Sequence, residues 1–384
     1  MGTQDERYRG LIIDEFAHVE PEFYREWVAG LKKLSEDPLF ARKTFYAWTG
    51  EMYEHRPADP FQRIIHDYNH RFAWEQYLTD APSLDFERCY VIRRYVHNTR
   101  DWQRVLPDVA DYLCMCLGYF SAPPTTLNVS PESNFNVGLD MQFRVMATDP
   151  VFADLYGMMT WGSAYADEET LRLEHLLFRH YCIEGNTEPM LDDPYELHHV
   201  RNPDFEDGLD GWEAEPATEG SIETRHMRGF SWLQGRYPRT GKGETFLWMK
   251  RHPERANRVR QTMRGLEPGR LYSVKLMAAD LRHLDVEQPP GVSLELAGGE
   301  WLEPLCFRSV FRSHNAHAVD TIGDVKQVYM TYHRRVFRAN GATAELAISD
   351  WASAAAPGGF DDQELACNFV EVQPYHAAEQ GETQ

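Results

Sequence analysis

The sequence predicts an α/β domain followed by an all-β domain: a partial (β/α) barrel of about five β/α units, then a β-sandwich. Three observations predict it. Up to about residue 195, short apolar runs alternate with long helical patterns, as parallel β/α units do. From about 200 to 375 the pattern turns to short strands punctuated by turns, as in sandwiches. The chain has 384 residues, more than one core usually holds. These set domains at 1–195 and 200–375, with a polar, disordered tail over 376–384.

The elements follow in order. Residues 10–16, ending in Asp14 and Glu15, read as a buried strand, with a helix over about 20–36. Residues 44–50, carrying Trp48, read as a second strand, with a helix over 60–78. Residues 88–96 read as a third strand, ending in Arg93, Arg94 and Tyr95, and 101–119 as its helix. Residues 125–129, with Asn128, read as the fourth strand, and Glu132 opens a long helical region. Residues 156–163, with Trp161, read as the fifth, before a last helix over 167–184. A closed barrel needs eight such units. Two architectures fit five: the C-terminal part of a barrel whose first three units are missing, or an open doubly wound sheet. No Gly-rich phosphate turn follows any strand, which weakens the second.

Composition excludes some functions. Lys and Arg total 39 against 60 Asp and Glu, a net charge of −21. Nonspecific nucleic-acid binding needs cationic surface, so no nucleic-acid partner is expected. No apolar run is long enough to span a membrane, and the first residues are too polar for a signal peptide. Six cysteines lack metal-type spacing and read as reduced, buried thiols. Cys114 and Cys116, inside the third predicted helix, should face different ways. The 10 Trp serve equally well as core or as stacking platforms for sugar rings.

In barrels the chemistry sits at the C-terminal ends of the strands. Acids, an arginine and aromatics stand there: Asp14, Glu15, Trp48, Arg93, Tyr95, Asn128, Glu132 and Trp161. Glycoside hydrolysis needs such a set, one carboxyl to protonate the leaving oxygen and a second as nucleophile or base. This arrangement resembles the C-terminal portion of TIM-barrel glycoside hydrolases. If the first strand is that family's fourth, the resemblance gives Glu15 the acid/base place and Glu132 the carboxylate nearest the nucleophile place. Trp161 then falls on the eighth strand. Asp14 stands where the family has Asn, and is either the acid or a like-charge partner of Glu15. Trp48, Arg93, Tyr95, Asn128 and Trp161 become substrate contacts. The plainer readings are a helix-capping role for Asp14 and Glu15, and core packing for Trp48 and Trp161.

Asn202-Pro-Asp-Phe205-Glu206 with Trp212 resembles the opening of galactose-binding-like β-sandwiches (jelly rolls), the carbohydrate-binding modules appended to many glycosidases. Gly265-Leu-Glu-Pro-Gly-Arg-Leu-Tyr272 resembles their turn and strand, and Asn368-Phe-Val-Glu371-Val their closing strand. The resemblance implies a carbohydrate partner, an extracellular or periplasmic location, and a structural Ca²⁺ held by Glu206, Asp204 and Glu371 through oxygen ligands. Catalysis itself calls for no cofactor. Trp212, Trp232, Trp248, Trp301 and Trp351 are the sandwich's candidates for sugar contact, Trp212 being structural. The alternative to a glycosidase is a non-catalytic carbohydrate-binding or cell-surface protein with a barrel remnant as scaffold. His66 and His70, spaced i, i+4 with Asp67 between, mimic a zinc motif but read as a packing pair. No G-x-S-x-G elbow occurs. Oligomeric state is not legible.

Overall fold

Five parallel strands in strictly sequential order form the sheet of the first domain: β1 (Gly10–Ile13), β2 (Thr44–Thr49), β3 (Arg71–Gln76), β4 (Leu113–Gly118) and β5 (Gly157–Trp161). The computed structural model describes residues 7–16, 20–40, 42–237, 242–315 and 327–377. A doubly wound sheet reverses its strand order at a switch point; this sheet never does, so it is a half-barrel. The helices are α1 (Pro21–Ser35), α2 (Asp59–Asp67), α3 (Leu84–Val91), α4 (Asn98–Gln103), α5 (Phe135–Thr148) and α6 (Glu168–Leu177). They cover the outer face, where Phe45, Phe72, Trp74, Leu113, Met115 and Leu117 pack against Leu31, Ile65, Trp102, Phe143 and Leu177. Among the described residues no helix is long and apolar enough to cross a membrane.

The expected strand count holds, but two of the five strands are other segments. Residues 88–96 are helical: α3 runs through a π-helical stretch at Ile92–His97 into α4. Their β-branched and aromatic residues suit a strand by propensity. Yet buried Glu87, Val91, Tyr95, Thr99 and Trp102 recur every three to four residues, and helical burial wins. The helix expected over 60–78 stops at Asp67. Asn69 then takes a left-handed φ of 56°, a helix terminator Asn adopts readily, and β3 follows. The helix expected over 101–119 ends at Gln103, and β4 fills its second half. Every residue of β4 is buried, and a short all-apolar run cannot be assigned by periodicity. Cys114 and Cys116 therefore share one sheet face. Residues 125–129 are a loop whose Thr126 makes one isolated bridge to Arg236. All six cysteines are free, but Cys89 and Cys182 are exposed rather than buried.

The second domain is a pair of antiparallel sheets. It contains β6 (Glu213–Glu215), β7 (Ile222–His226), a short helix α7 (Phe230–Leu233), β8 (Thr245–Lys250), β9 (Arg258–Arg264), β10 (Leu271–Asp280), β11 (Ser293–Ala297), β12 (Gly299–Trp301), β13 (Phe307–Arg312), β14 (Tyr329–Ala339), β15 (Thr343–Ser349) and β16 (Glu364–Pro374). One sheet runs β12-β14-β10-β16-β8-β7, with β13 also on β14; the other runs β11-β15-β9-β6. Val274, Leu276, Phe337, Leu346, Ile348 and Val372 fill the space between them. The opening motif is structural. Asn202 donates to the carbonyls of Gly208 and Asp210, and the Trp212 indole donates to the Asn202 carbonyl at 3.2 Å. Of the tail expected over 376–384, His376 and Ala377 are described, and the His376 N–H donates to Glu169 at 2.8 Å; the remainder lies outside the described residues.

The two domains meet along a seam of buried charge. Lys275 pairs with Glu371 at 2.7 Å, and Glu371 also accepts from Asn128 at 2.7 Å. Arg236, with no exposed surface, forks onto both oxygens of Asp204 at 2.8 and 2.6 Å and donates to the Val129 carbonyl of the half-barrel. Arg334 faces Asp167 at 3.4 Å, and Glu169 accepts from the backbone of His376.

Candidate active site

The C-terminal ends of β1, β2 and β3 open into a cleft of about 520 Å³ lined by Glu15, Thr49, Glu51, Glu75, Tyr77 and Arg94, among others. The strand pleat explains the lining. Glu75 and Tyr77 point to the inner face, opposite the helices that bury Trp74 and Gln76. Glu75 pairs in register with Cys116, and Trp48 with Ala73, so Trp48 and Glu75 are diagonal neighbours. The Trp48 indole donates to Glu75 Oε2 at 3.0 Å.

Glu75 is the perturbed group of the cleft. Burial raises its pKa above the ordinary value, the Trp48 hydrogen bond works the other way, and the charges of Asp14, Glu15 and Glu51 raise it further. A carboxyl raised by desolvation and by like charges is the environment of a general acid. Glu51 is held in place by Arg94 at 2.7 Å and by the Gln76 amide at 3.4 Å. Glu15 follows the strand end in a left-handed conformation, φ 51°, unusual for a side-chain-bearing residue. Its N–H donates to Asp14 Oδ1 at 2.9 Å. Beside the acids, Tyr77 stacks on Trp161, ring centroids 5.7 Å apart and 19° between planes. Phe120 meets both rings edge-on. Trp161 is 43% exposed, so this aromatic surface is open to a ligand. Burial raises the Tyr77 hydroxyl and the Cys116 thiol, keeping both neutral.

Of the residues singled out in the sequence, the structure gathers Asp14, Glu15, Trp48 and Trp161 around this end of the sheet. Arg93 is exposed on the helix that follows β3. Tyr95 is buried with its hydroxyl donating to Gln142. Asn128 belongs to the seam. Glu132 pairs with Lys242 at 2.8 Å and lines a different recess with Glu196 and His198. Glu75, Tyr77 and Glu51 were not singled out as site residues, whereas Arg94 stood with Arg93 at the end of the expected third strand. The alternation of Phe72, Trp74 and Gln76 with Ala73, Glu75 and Tyr77 was the available signal, and it was absorbed into the expected helix. His70 is buried, and burial lowers its pKa to about 4. Its Nδ1 accepts from the Phe45 N–H at 3.3 Å, which is a packing role.

The acids named for Ca²⁺ do not fit that ion. Asp204 spends both oxygens on Arg236, and Glu371 pairs with Lys275, so protein cations already balance them. Glu206 accepts from the Gly243 N–H at 2.8 Å and the Thr245 hydroxyl at 2.9 Å. Among the described residues no group of three or more His, Cys, Asp or Glu converges to hold a metal.

No family model and no curated protein matches the chain. Solved structures match at a distance. The carbohydrate-binding module TmCBM61, solved with β-1,4-galactotriose, is 12% identical at a TM-score of 0.26, covering 46% of this chain and 97% of its own. The enzymatically active domain of bacteriophage CBA120 tailspike protein 4 is 9% identical at 0.28, covering 86% of this chain. This chain spans 38% of that one. A two-domain esterase active on acetylated mannans, co-crystallised with mannopentaose, is 10% identical at 0.20, covering 96% of this chain and 92% of its own. TM-scores this low carry no argument about this chain's chemistry, which rests on its own residues.

Proposed function

We propose that the half-barrel is the catalytic part of a glycoside hydrolase, with Glu75 as its general acid. The observation that carries this reading is the raised carboxyl of Glu75 among the acids Asp14, Glu15 and Glu51, in a cleft with an aromatic surface beside it. Glu75, whose protonated form is favoured by burial and by its acidic neighbours, gives its proton to the departing glycosidic oxygen. Glu15, with Asp14 fixing its turn, serves as the second carboxylate, attacking the anomeric carbon or activating water. Once Glu75 has lost its proton, the Trp48 N–H stabilises the carboxylate that remains. The stacked Tyr77 and Trp161 offer an apolar face to the C–H side of a pyranose. The sandwich, whose motifs resemble carbohydrate-binding modules, is the accessory part of the same proposal.

Hydrolysis of a panel of aryl glycosides and polysaccharides tests it. The unsubstituted chain should turn over at least one substrate, and Glu75→Gln should lower kcat by roughly 10²–10⁴-fold with the fold intact. Activity retained in Glu75→Gln removes it as the acid. Retention on a polysaccharide gel by a chain inactive across the panel supports the non-catalytic binding protein instead.

A further inference from the structure

A second recess opens at the mouth between the two sheets of the sandwich. It measures about 260 Å³, and β11 and its lead-in give it an apolar wall, Val292 and Leu294. The opposite wall is polar: Arg308 of β13 with His333 and Arg335 of β14. Arg308 and His333 are direct register partners, so they stand side by side on one face. His333 is 7% exposed, and its Nε2 has no hydrogen-bond partner among the described residues. A buried polar atom left unpaired is a standing cost that a hydrogen-bonding ligand would relieve. Arg335 is partly balanced by Glu303 at 2.6 Å and lies over the Trp301 ring. Arg308 pairs with no carboxylate among the described residues. In a chain of net charge −21, this is a locally cationic recess with an unsatisfied imidazole inside it.

We propose that this recess binds the carboxylate of an acidic sugar, a uronic acid, with Arg308 as its charge partner and His333 as the buried hydrogen-bonding group. A guanidinium presents the planar fork that suits a carboxylate. The apolar wall formed by Val292 and Leu294 faces the sugar's C–H side. The choice of a sugar carboxylate over any other rests on the carbohydrate reading of the half-barrel. Burial, and then the charges of Arg308 and Arg335, push the pKa of His333 down to about 3. The histidine is therefore neutral, and a bound anion will move its pKa upward.

The test uses the whole chain carrying Glu75→Gln, so that loss of turnover and loss of binding are read separately. Methyl β-D-glucuronide, methyl β-D-glucoside, acetate and sulfate are titrated by calorimetry, with the His333 ring followed by NMR. The expected result is saturable binding of the glucuronide alone, an upward shift of the His333 pKa on binding, and a loss of about tenfold in affinity in Arg308→Ala. Arg308 is exposed, so that variant keeps its fold. No glucuronide binding, equal binding of acetate or sulfate, or full affinity in Arg308→Ala overturns the proposal. Hydrolysis by the unsubstituted chain reports on the half-barrel independently of all these arms.

Discussion

The half-barrel cleft and the seam between the domains both concentrate carboxylates, and they handle them in opposite ways. In the cleft, Asp14, Glu15, Glu51 and Glu75 gather with one guanidinium among the described residues, that of Arg94, and their mutual repulsion is left standing. Along the seam three acids have donors of their own: Asp204 has Arg236, Glu371 has Lys275 and Asn128, Asp167 has Arg334. Paired buried charge holds parts together, since losing either partner strands the other. Clustered like charge does nothing for stability and shifts pKa values, which is what catalysis uses. The sandwich is thus built into the half-barrel through a polar interface.

The largest expected effect tests the seam side of that contrast. Lys275→Met leaves Glu371 buried without its cation, and should cost about 3–5 kcal/mol of unfolding free energy in urea titrations. Neutralising Glu371 as well, in Lys275→Met/Glu371→Gln, should restore much of it. A single variant as stable as the parent would mean that Glu371 does not depend on Lys275, its register partner across β10 and β16, as a buried charge partner.

A second prediction sets pH windows. Burial alone would raise Asp167, but Lys275 and Arg334 hold it below its ordinary value. Its contribution is present above pH 3.8 and is lost as pH falls through the lowered value. Burial, then the charge of Asp167, raises Glu169 to about 7. Its protonated form is favoured by folding, so stability is lost as pH rises from 4.5 through about 7. The seam should be firmest near pH 4–5 on these two groups. Glu169→Gln should remove a loss of order 3 kcal/mol between pH 5 and 8, read as a flatter Tm against pH.

Much of the molecule was legible before the structure, and the unread parts share a cause. Alternation of apolar runs with helical patterns sufficed for a parallel half-barrel, and turn-rich spacing for the sandwich. Asp14 and Glu15 were legible as strand-end acids because β1 is followed by a clear helix. Glu75 was missed because β3 begins two residues after Asn69, whose left-handed turn is the only break from α2. Residues 88–96 misled in the other direction: Tyr90, Val91, Ile92 and Val96 suit a strand, and only the tertiary contact of Val91, Tyr95 and Trp102 with the core selects the helix. The pairing of Asp204 with Arg236 and of Glu371 with Lys275 joins positions 32 and 96 residues apart, distances no local pattern spans.

The smallest effect concerns the open aromatic surface. Trp161→Ala removes a half-exposed ring stacked on Tyr77. It should weaken substrate use by about tenfold in kcat/KM, roughly 1.4 kcal/mol, while changing unfolding far less than Lys275→Met. A large loss of stability with unchanged KM would place Trp161 with the core instead.

The most direct measurement is the titration of the Glu75 carboxyl itself, by carbon-detected NMR of the whole chain, repeated in Glu15→Gln and Glu51→Gln. Our account predicts a Glu75 pKa above the ordinary glutamate value, and a fall toward that value when either neighbour is neutralised. A Glu75 that titrates at or below the ordinary value, unmoved by both substitutions, would contradict the claim that the cleft gathers its acids to make one of them a proton donor.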